Sequence, residues 1–107
     1  MQGKVDLSFL VPKFLERLDE RLRRIDAALE TVVDASGEPL ETVMRDFHSL
    51  AGIGGTYGFP EVTRLAREGE LLLQRAISER RHVRTGEAAA AHVLVTEMDS
   101  IRMRAAA

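Results

Sequence analysis

Residues Val11 to Ala35 read VPKFLERLDERLRRIDAALETVVDA, and apolar side chains recur in this stretch every three or four positions. That spacing is typical of a helix with one buried face, because an α-helix completes a turn in 3.6 residues. Charged residues fill the intervening positions and predict a solvent-facing side. Pro12 suits the first turn of the helix, where a missing N–H costs no hydrogen bond. The predicted apolar stripe consists of Phe14, Leu18, Leu22, Ile25, Leu29 and Val32.

Three more segments show the same periodicity, and turn-forming residues separate them. Pro39 and Pro60 each predict the first turn of a helix, whereas Gly58 predicts a left-handed stop between the two helices. Thr85 is a candidate N-cap for the last helix. No segment alternates apolar and polar residues with a period of two, so no strand is predicted. The predicted helices span residues 11–35, 39–57, 60–81 and 86–105.

Four amphipathic helices joined by short links predict an all-α, antiparallel up-and-down four-helix bundle. A chain of 107 residues can bury one such core, so residues 1–107 are interpreted as a single domain. Leu7, Phe9 and Leu10 precede the first helix, and we expect them to cap one end of the bundle as a short N-terminal segment. The alternative is that these three side chains extend a docking face.

Composition excludes several classes of function. The net charge of -2 provides no basic footprint for nucleic acid, and the chain has no cysteine for a disulfide, a thiol nucleophile or a metal site. No apolar run approaches the roughly 18 residues of a membrane span, and the N-terminus lacks the pattern of a signal peptide. We therefore expect a cytoplasmic protein that binds neither nucleic acid nor membrane. Met1 favours a separate protein over a piece of a larger one.

His48 begins the run HSLAGIGGTYG, in which four glycines follow a single imidazole. A helical wheel places His48 about 130° from the centre of the apolar stripe of the second helix, so the ring is expected on the outside. Gly52 and Gly55 lie on the same flank as the ring, whereas Gly54 lies on the buried stripe and favours close helix packing. A glycine inside a helix costs about 1 kcal/mol relative to alanine. We interpret the bare backbone as access to the ring for another macromolecule.

An exposed neutral imidazole can act as a nucleophile near pH 7, since one ring nitrogen then carries a free lone pair. Hydrolysis is not indicated, because no serine or cysteine nucleophile with an oxyanion hole is visible. No metal site is predicted, because His48, His82 and His92 fall on separate elements without metal-ligand spacing. The glycine run also lacks the pattern of a nucleotide-binding loop. On the helix pattern alone, a glycine-weakened helix with an ordinary surface histidine is an equal alternative.

Three short stretches resemble the histidine-containing phosphotransfer (HPt) domain of bacterial phosphorelays. They are His48-Ser49-Leu50-Ala51-Gly52, Gly58-Phe59 and Leu65-Ala66-Arg67-Glu68-Gly69-Glu70. The resemblance implies a four-helix bundle in which His48 accepts a phosphoryl group from a receiver-domain aspartate of a hybrid kinase or response regulator. His48 then passes the group to another receiver. The resemblance also implies that the receiver docks across the second and third helices and supplies Mg²⁺, while the carrier has no cofactor and no kinase activity of its own.

Two positions depart from the family pattern. The family often has a lysine three residues after the histidine, where it steadies phosphoryl oxygens, but this chain has Ala51. Arg45 is the first substitute, and Arg64 and Arg67 are second choices, although ordinary surface charge is the favoured alternative for each. Gly69 stands where the family usually has leucine, and it indicates either a closer helix contact or a looser core.

The surface around the histidine is expected to contact the receiver through Met44, Ala51, Gly52 and Gly55, although Met44 is equally consistent with boundary core. For the carrier we expect a monomer. Two other functions stay open. One is a degenerate member of the family that binds receiver or kinase domains without being phosphorylated, and the other is a structural bundle that dimerises.

Overall fold

The computed structural model describes residues 8–31 and 38–107, and within them the chain is helical with no strand. Its four α-helices form a closed bundle in which α1 and α3 each pack against both α2 and α4. The all-α four-helix bundle expected from the sequence is therefore confirmed. No described helix is both long and apolar enough to cross a membrane. The helices are α1 (Val11–Leu29), α2 (Glu38–Ile53), α3 (Pro60–Ser78) and α4 (Thr85–Ala106), with 3₁₀ turns at Ser8–Leu10 and Gly55–Tyr57.

The core of the bundle is mainly aliphatic, with Phe14 and Phe47 as buried aromatic side chains. On α1 all the described stripe residues from Phe14 to Leu29 are buried, and Val32 lies outside the described residues. Burying each large side chain contributes roughly 1.5–3 kcal/mol to folding. On α3 Leu73 is fully buried, whereas its neighbour Leu72 is half-buried. On α4 full burial ends at Met98, because Ile101 is half-buried and Ala105 is exposed.

The helices α1 and α3 end earlier than their periodicity predicts. The helix α1 ends at Leu29, and the N–H and hydroxyl of Thr31 both donate to the carbonyl of Ala28, at 3.0 and 2.9 Å. The rest of the predicted extension lies outside the described residues. The helix α3 ends at Ser78, because Arg80 adopts a left-handed φ of 52° and directs the N–H of Arg81 to a carbonyl of the preceding turn. Glycine usually occupies such a position, so the sequence contains no stop signal there.

A threonine of α3 sets the end of α2. The α-helical pattern stops at Ile53, and a 3₁₀ turn follows where the sequence predicted a continuous helix to residue 57. The hydroxyl of Thr63 accepts a hydrogen bond from the N–H of Gly55 at 2.9 Å and donates one to the carbonyl of Ala51 at 3.0 Å. Thr63 thereby satisfies backbone groups that a longer α2 would have satisfied itself. Gly58 has a φ of 88°, which confirms the predicted left-handed stop.

Two glycines bring α2 and α3 close together. A Cβ atom at Gly54 would lie 2.7 Å from the hydroxyl and 2.9 Å from the backbone nitrogen of Thr63. A Cβ atom at Gly69 would lie 2.6 Å from the ring of Phe47, which is fully buried. No real side chain tolerates such distances without a shift of its neighbours. The close-packing role expected for Gly54 is confirmed, and Gly69 marks a closer helix contact and not a looser core.

Phe9 of the N-terminal segment does not pack on the core as expected. The side chain of Phe9 is 74% exposed, while Leu10 is half-buried and Leu7 lies outside the described residues. The end of the bundle is closed by aromatic stacking, because the ring of Phe14 lies 4.8 Å from Tyr57 and 5.4 Å from Phe59, centroid to centroid. The capping prediction is thus wrong for Phe9.

The start of α4 is organised by Glu87. Thr85 is the first helical residue and not the N-cap, which is Arg84. The carboxylate of Glu87 accepts a hydrogen bond from the Arg84 backbone N–H at 2.9 Å, and the guanidinium of Arg81 donates two more to it, at 2.8 and 2.9 Å. Glu87 therefore joins the α3–α4 link to the first turn of α4, where a negative charge also favours the helix dipole.

Replacing Glu87 by alanine is expected to lower the free energy of unfolding by about 1 kcal/mol at neutral pH. The hydrogen bonds from Arg81 lower the pKa of Glu87 from 4.5 to about 2. Because the unfolded chain binds this proton more readily, the stabilisation is complete above pH 4.5 and is lost as the pH falls towards 2. Urea unfolding between pH 7 and pH 3 measures the difference in free energy of unfolding between the wild type and Glu87→Ala. The control is Glu97→Ala, because Glu97 is an exposed residue of α4. A stability difference that does not shrink with acidity would contradict the assignment.

Candidate functional site

His48 lies within α2 and points away from the core. Its side chain is 77% exposed, whereas the neighbouring Phe47 and nearby Leu50 are fully buried. The outward orientation predicted from the helical wheel is therefore confirmed. The ring stands on the open face of α2, between the flank that packs on α3 and the flank that packs on α1.

A carboxylate from α3 orients the imidazole. Nδ1 of His48 lies 2.7 Å from Oε2 of Glu70, across 22 residues of sequence. An ionised carboxylate only accepts hydrogen bonds, so Nδ1 carries the proton in the neutral ring. Nε2 is then left with its lone pair available. The arrangement presents a nucleophilic nitrogen on an exposed, oriented ring.

The register of α2 against α3 explains why Glu70 reaches His48. Gly69 accommodates the ring of Phe47. Glu70 follows Gly69 on α3, and His48 follows Phe47 on α2. The close contact at Gly69 thus places the carboxylate opposite the imidazole. Glu70 lies in one of the stretches that resemble the HPt domain, but the sequence alone predicted no role for it, since helix periodicity does not define the register between two helices.

Polar contacts fix the other flank of α2 against α1. Arg24 donates two hydrogen bonds to the buried Asp46, at 2.9 and 2.6 Å, and these bonds raise the pKa of Arg24 above its ordinary value. Arg21 donates to the hydroxyl of Ser49 at 2.7 Å. Ser49 is next to His48 in the chain, so α1 contacts α2 immediately beside the imidazole. Neither contact was predicted from the sequence.

The three arginines proposed near the phosphoryl group differ in their surroundings. Arg45 is exposed on α2, three residues before His48, and Arg67 is exposed on α3, three residues before Glu70. Such a spacing keeps each arginine on the same side of its helix as the site residue. Arg64 is occupied elsewhere, because its guanidinium contacts the carboxylates of Glu61 and Glu68, with shortest distances of 2.9 and 2.6 Å.

Arg64 is also turned away from the imidazole. Six residues separate it from Glu70, which corresponds to about 120° around the axis of α3. Its two ion pairs raise the pKa of Arg64 and hold the guanidinium on that other side. The structure therefore does not bring Arg64 to the site, and the expectation that it stabilises a phosphoryl group is corrected.

The expected docking residues also separate into two groups. Ala51 is only 7% exposed and Met44 packs against the core, so the expectation that Ala51 offers an apolar contact surface is corrected and Met44 is boundary core. Gly52 and Gly55 are both exposed. A Cβ atom at Gly52 would meet nothing within 4 Å, and one at Gly55 would lie 3.8 Å from the hydroxyl of Thr63. The glycines thus leave open space on the C-terminal side of His48.

A second imidazole has similar local geometry on the opposite side of the bundle. Nδ1 of His92 on α4 lies 2.5 Å from Oδ1 of Asp26 on α1, and both side chains are exposed by more than a third. No group of three potential metal-ligating side chains occurs in the described part of the chain. His92 therefore shows that an exposed imidazole paired with a carboxylate is not by itself what distinguishes His48.

Comparison with known proteins identifies one family. A family model described as "Hpt domain" matches residues 10–104. Searches of curated proteins and of solved structures found no match. The matched segment contains α1 to α3, all but the last two residues of α4, His48 and Glu70. The chain therefore belongs to the Hpt domain family, which acts in phosphotransfer within phosphorelays.

Proposed function

We propose that this protein carries a phosphoryl group on Nε2 of His48 and passes it between receiver domains. The observation that carries the proposal is that the ring of His48 is 77% exposed, contacts Glu70 through Nδ1 and stands beside the open space left by Gly52 and Gly55. That contact leaves Nε2 free, and the exposure lets a partner reach it. We further propose that the carrier is a monomer in the cytoplasm and that its partners are response-regulator receivers or a hybrid histidine kinase.

The transfer step needs little from the carrier beyond an oriented nucleophile. Nε2 attacks the phosphorus of an aspartyl phosphate, the P–N bond forms, the bond between phosphorus and the aspartate oxygen breaks, and the carboxylate leaves. The ring gains positive charge, which the carboxylate of Glu70 stabilises through Nδ1–H. Transfer onward to a second receiver reverses these bond changes. Mg²⁺ bound by the receiver neutralises phosphoryl oxygens, so catalysis depends mainly on positioning.

Arg45 and Arg67 are the cations that we propose for the phosphoryl oxygens, since Ala51 provides none. Both guanidinium groups are exposed, and each lies one helical turn from a residue of the site. A charge-assisted hydrogen bond between a guanidinium and a phosphate is stronger than a neutral one. These two arginines flank the imidazole from α2 and α3, which supports the assignment.

The test of this function is transfer from a phosphorylated receiver. Each receiver domain of the source organism is labelled with ³²P on its aspartate and incubated with this protein and Mg²⁺. Label that moves to this protein and is acid-labile but base-stable, as phosphohistidine is, supports the carrier function. A stable complex without label would instead support a degenerate member that only binds receivers, an alternative suggested by Ala51 in place of lysine.

Glu70→Gln is expected to slow transfer about tenfold, because it removes one charge-assisted hydrogen bond to the reacting ring. The amide can also donate to Nδ1 and so stabilise the tautomer whose proton is on Nε2. Single-turnover transfer measures the rate, and ¹⁵N NMR of the imidazole measures the tautomer. The matched control is Glu68→Gln, because Glu68 contacts Arg64 on another side of α3. Equal rates and equal tautomer populations in the two variants would remove Glu70 from the mechanism.

A further inference from the structure

Three cations of α1 share one side of the helix. Lys13, Arg17 and Arg21 follow one another at intervals of four residues on the side that faces α2. Asp19 and Asp26 lie on the side that faces α4, where they contact Arg102 and His92, respectively. A spacing of four residues rises about 6 Å along a helix, so the three cations form a row about 12 Å long.

The row of cations borders a groove between α1 and α2. The groove has a volume of about 350 Å³, and besides the three cations it is lined by Phe14, Ser49 and the half-buried apolar side chains of Leu10, Ile53 and Tyr57. Its apolar floor can accept a side chain, and its rim is positive. We use the name cationic groove for Lys13, Arg17, Arg21, Leu10, Ile53 and Tyr57.

The positive charge of the groove is not neutralised by neighbouring side chains. Lys13 and Arg17 are exposed and make no ion pair within residues 8–31 and 38–107, and Arg21 is bonded to the uncharged hydroxyl of Ser49. By contrast, the guanidinium groups of Arg64 and Arg81 each contact two carboxylates. A cation that lacks a partner projects its field into solvent, where it attracts an oppositely charged surface.

The cationic groove lies on one flank of His48, and the opposite flank is mixed in charge. The hydrogen bond from Arg21 to Ser49 places the groove beside the imidazole. On the α3 flank Arg67 is exposed, but the carboxylate of Glu70 contacts His48, and Glu61 and Glu68 neutralise Arg64. Three cations therefore line the α1 flank of the exposed ring, whereas cations and carboxylates occur together on its α3 flank.

We propose that the cationic groove is the surface by which this protein selects and aligns the receiver that phosphorylates it, a proposal that rests on the function proposed above. The occupant is the receiver face that carries the aspartyl phosphate. That face presents a phosphoryl dianion and the carboxylates that hold Mg²⁺, so it is strongly negative. Acidic side chains at the edge of that face lie against Lys13, Arg17 and Arg21, and one apolar side chain enters between Leu10, Ile53 and Tyr57. The receiver thus approaches over α1 and α2, and not over α2 and α3 as the family resemblance implied.

The double variant Lys13→Glu/Arg17→Glu tests this surface. At low ionic strength we expect kcat/KM for transfer from the phosphorylated receiver to fall at least about tenfold, because attraction between opposite charges becomes repulsion. Added salt should reduce the difference from the wild type, since charges on an interface rim are screened. The matched control is Arg75→Glu/Arg104→Glu, which changes net charge equally at exposed positions on α3 and α4.

A small phosphodonor separates failure of the surface from failure of the site. Phosphoramidate needs no docked protein, so it should label His48 equally in the wild type and both double variants. Suppose that phosphoramidate and receivers both label the wild type. If the two double variants then lose receiver transfer equally, net charge alone matters and the cationic groove is not the recognition surface. Unchanged transfer in Lys13→Glu/Arg17→Glu also overturns the proposed role of the cationic groove. If no donor labels His48 in the wild type, the proposed function itself is wrong.

Discussion

His48→Gln is expected to reduce receiver-dependent phosphorylation of this protein to background while leaving the fold intact. Glutamine has no nitrogen that attacks phosphorus, but its amide can still donate a hydrogen bond to Glu70. The side chain is 77% exposed, so the free energy of unfolding should change by no more than about 0.5 kcal/mol. Transfer of ³²P from a phosphorylated receiver and thermal unfolding of the same preparations measure the two quantities.

His92 provides the control for this prediction within the same molecule. Its Nδ1 also contacts a carboxylate, Asp26, but no glycine lies within one helical turn of it on α4 to give a receiver access. His92→Gln should therefore transfer at the wild-type rate. The contradicting outcome is receiver-dependent label that persists in His48→Gln and disappears in the double variant His48→Gln/His92→Gln. That result would show that His92 is the acceptor and that the assignment to His48 is wrong.

Gly52→Leu is expected to raise stability and block transfer at the same time. A side chain at this position meets nothing within 4 Å in the free protein, and leucine favours a helix over glycine by about 0.8 kcal/mol. A helical side chain leans towards the N-terminus and covers the preceding turn, which here is the turn of His48. We expect the rate of transfer from a receiver to fall at least about tenfold. The leucine side chain would displace the docked receiver, and even a small displacement of the reacting atoms lowers the rate by such a factor.

Two variants test whether the leucine acts by obstruction. Gly52→Ala gains helix propensity with little bulk, so it should raise the thermal midpoint and retain most of the transfer rate. Gly86→Leu makes the same substitution in open space on α4, which lies diagonal to α2, and should transfer normally. Gly55→Leu is expected to act in the same direction as Gly52→Leu. Wild-type transfer by both leucine variants at Gly52 and Gly55 would show that the glycines do not provide access.

The helix faces could be predicted because they depend on local spacing alone. A period of 3.6 residues assigns each apolar residue of α1 to one stripe, and the same rule placed His48 outside and Gly54 inside. Gly58 was also predictable, since a left-handed turn strongly favours glycine. The burial of Ala51 was not predictable in this way, because it depends on how closely Thr63 of α3 approaches.

The sequence by itself determined the four helices, their buried faces and the outward position of the one imidazole that stands beside exposed glycines. Only the tertiary structure decided that Glu70 meets Nδ1 of His48 and that Arg21 places a row of cations beside it. The physical reason is that periodicity defines directions around each helix axis but not how far one helix slides along another. That register depends on where backbones can approach, and here Gly54 and Gly69 allow α3 to pack directly against α2.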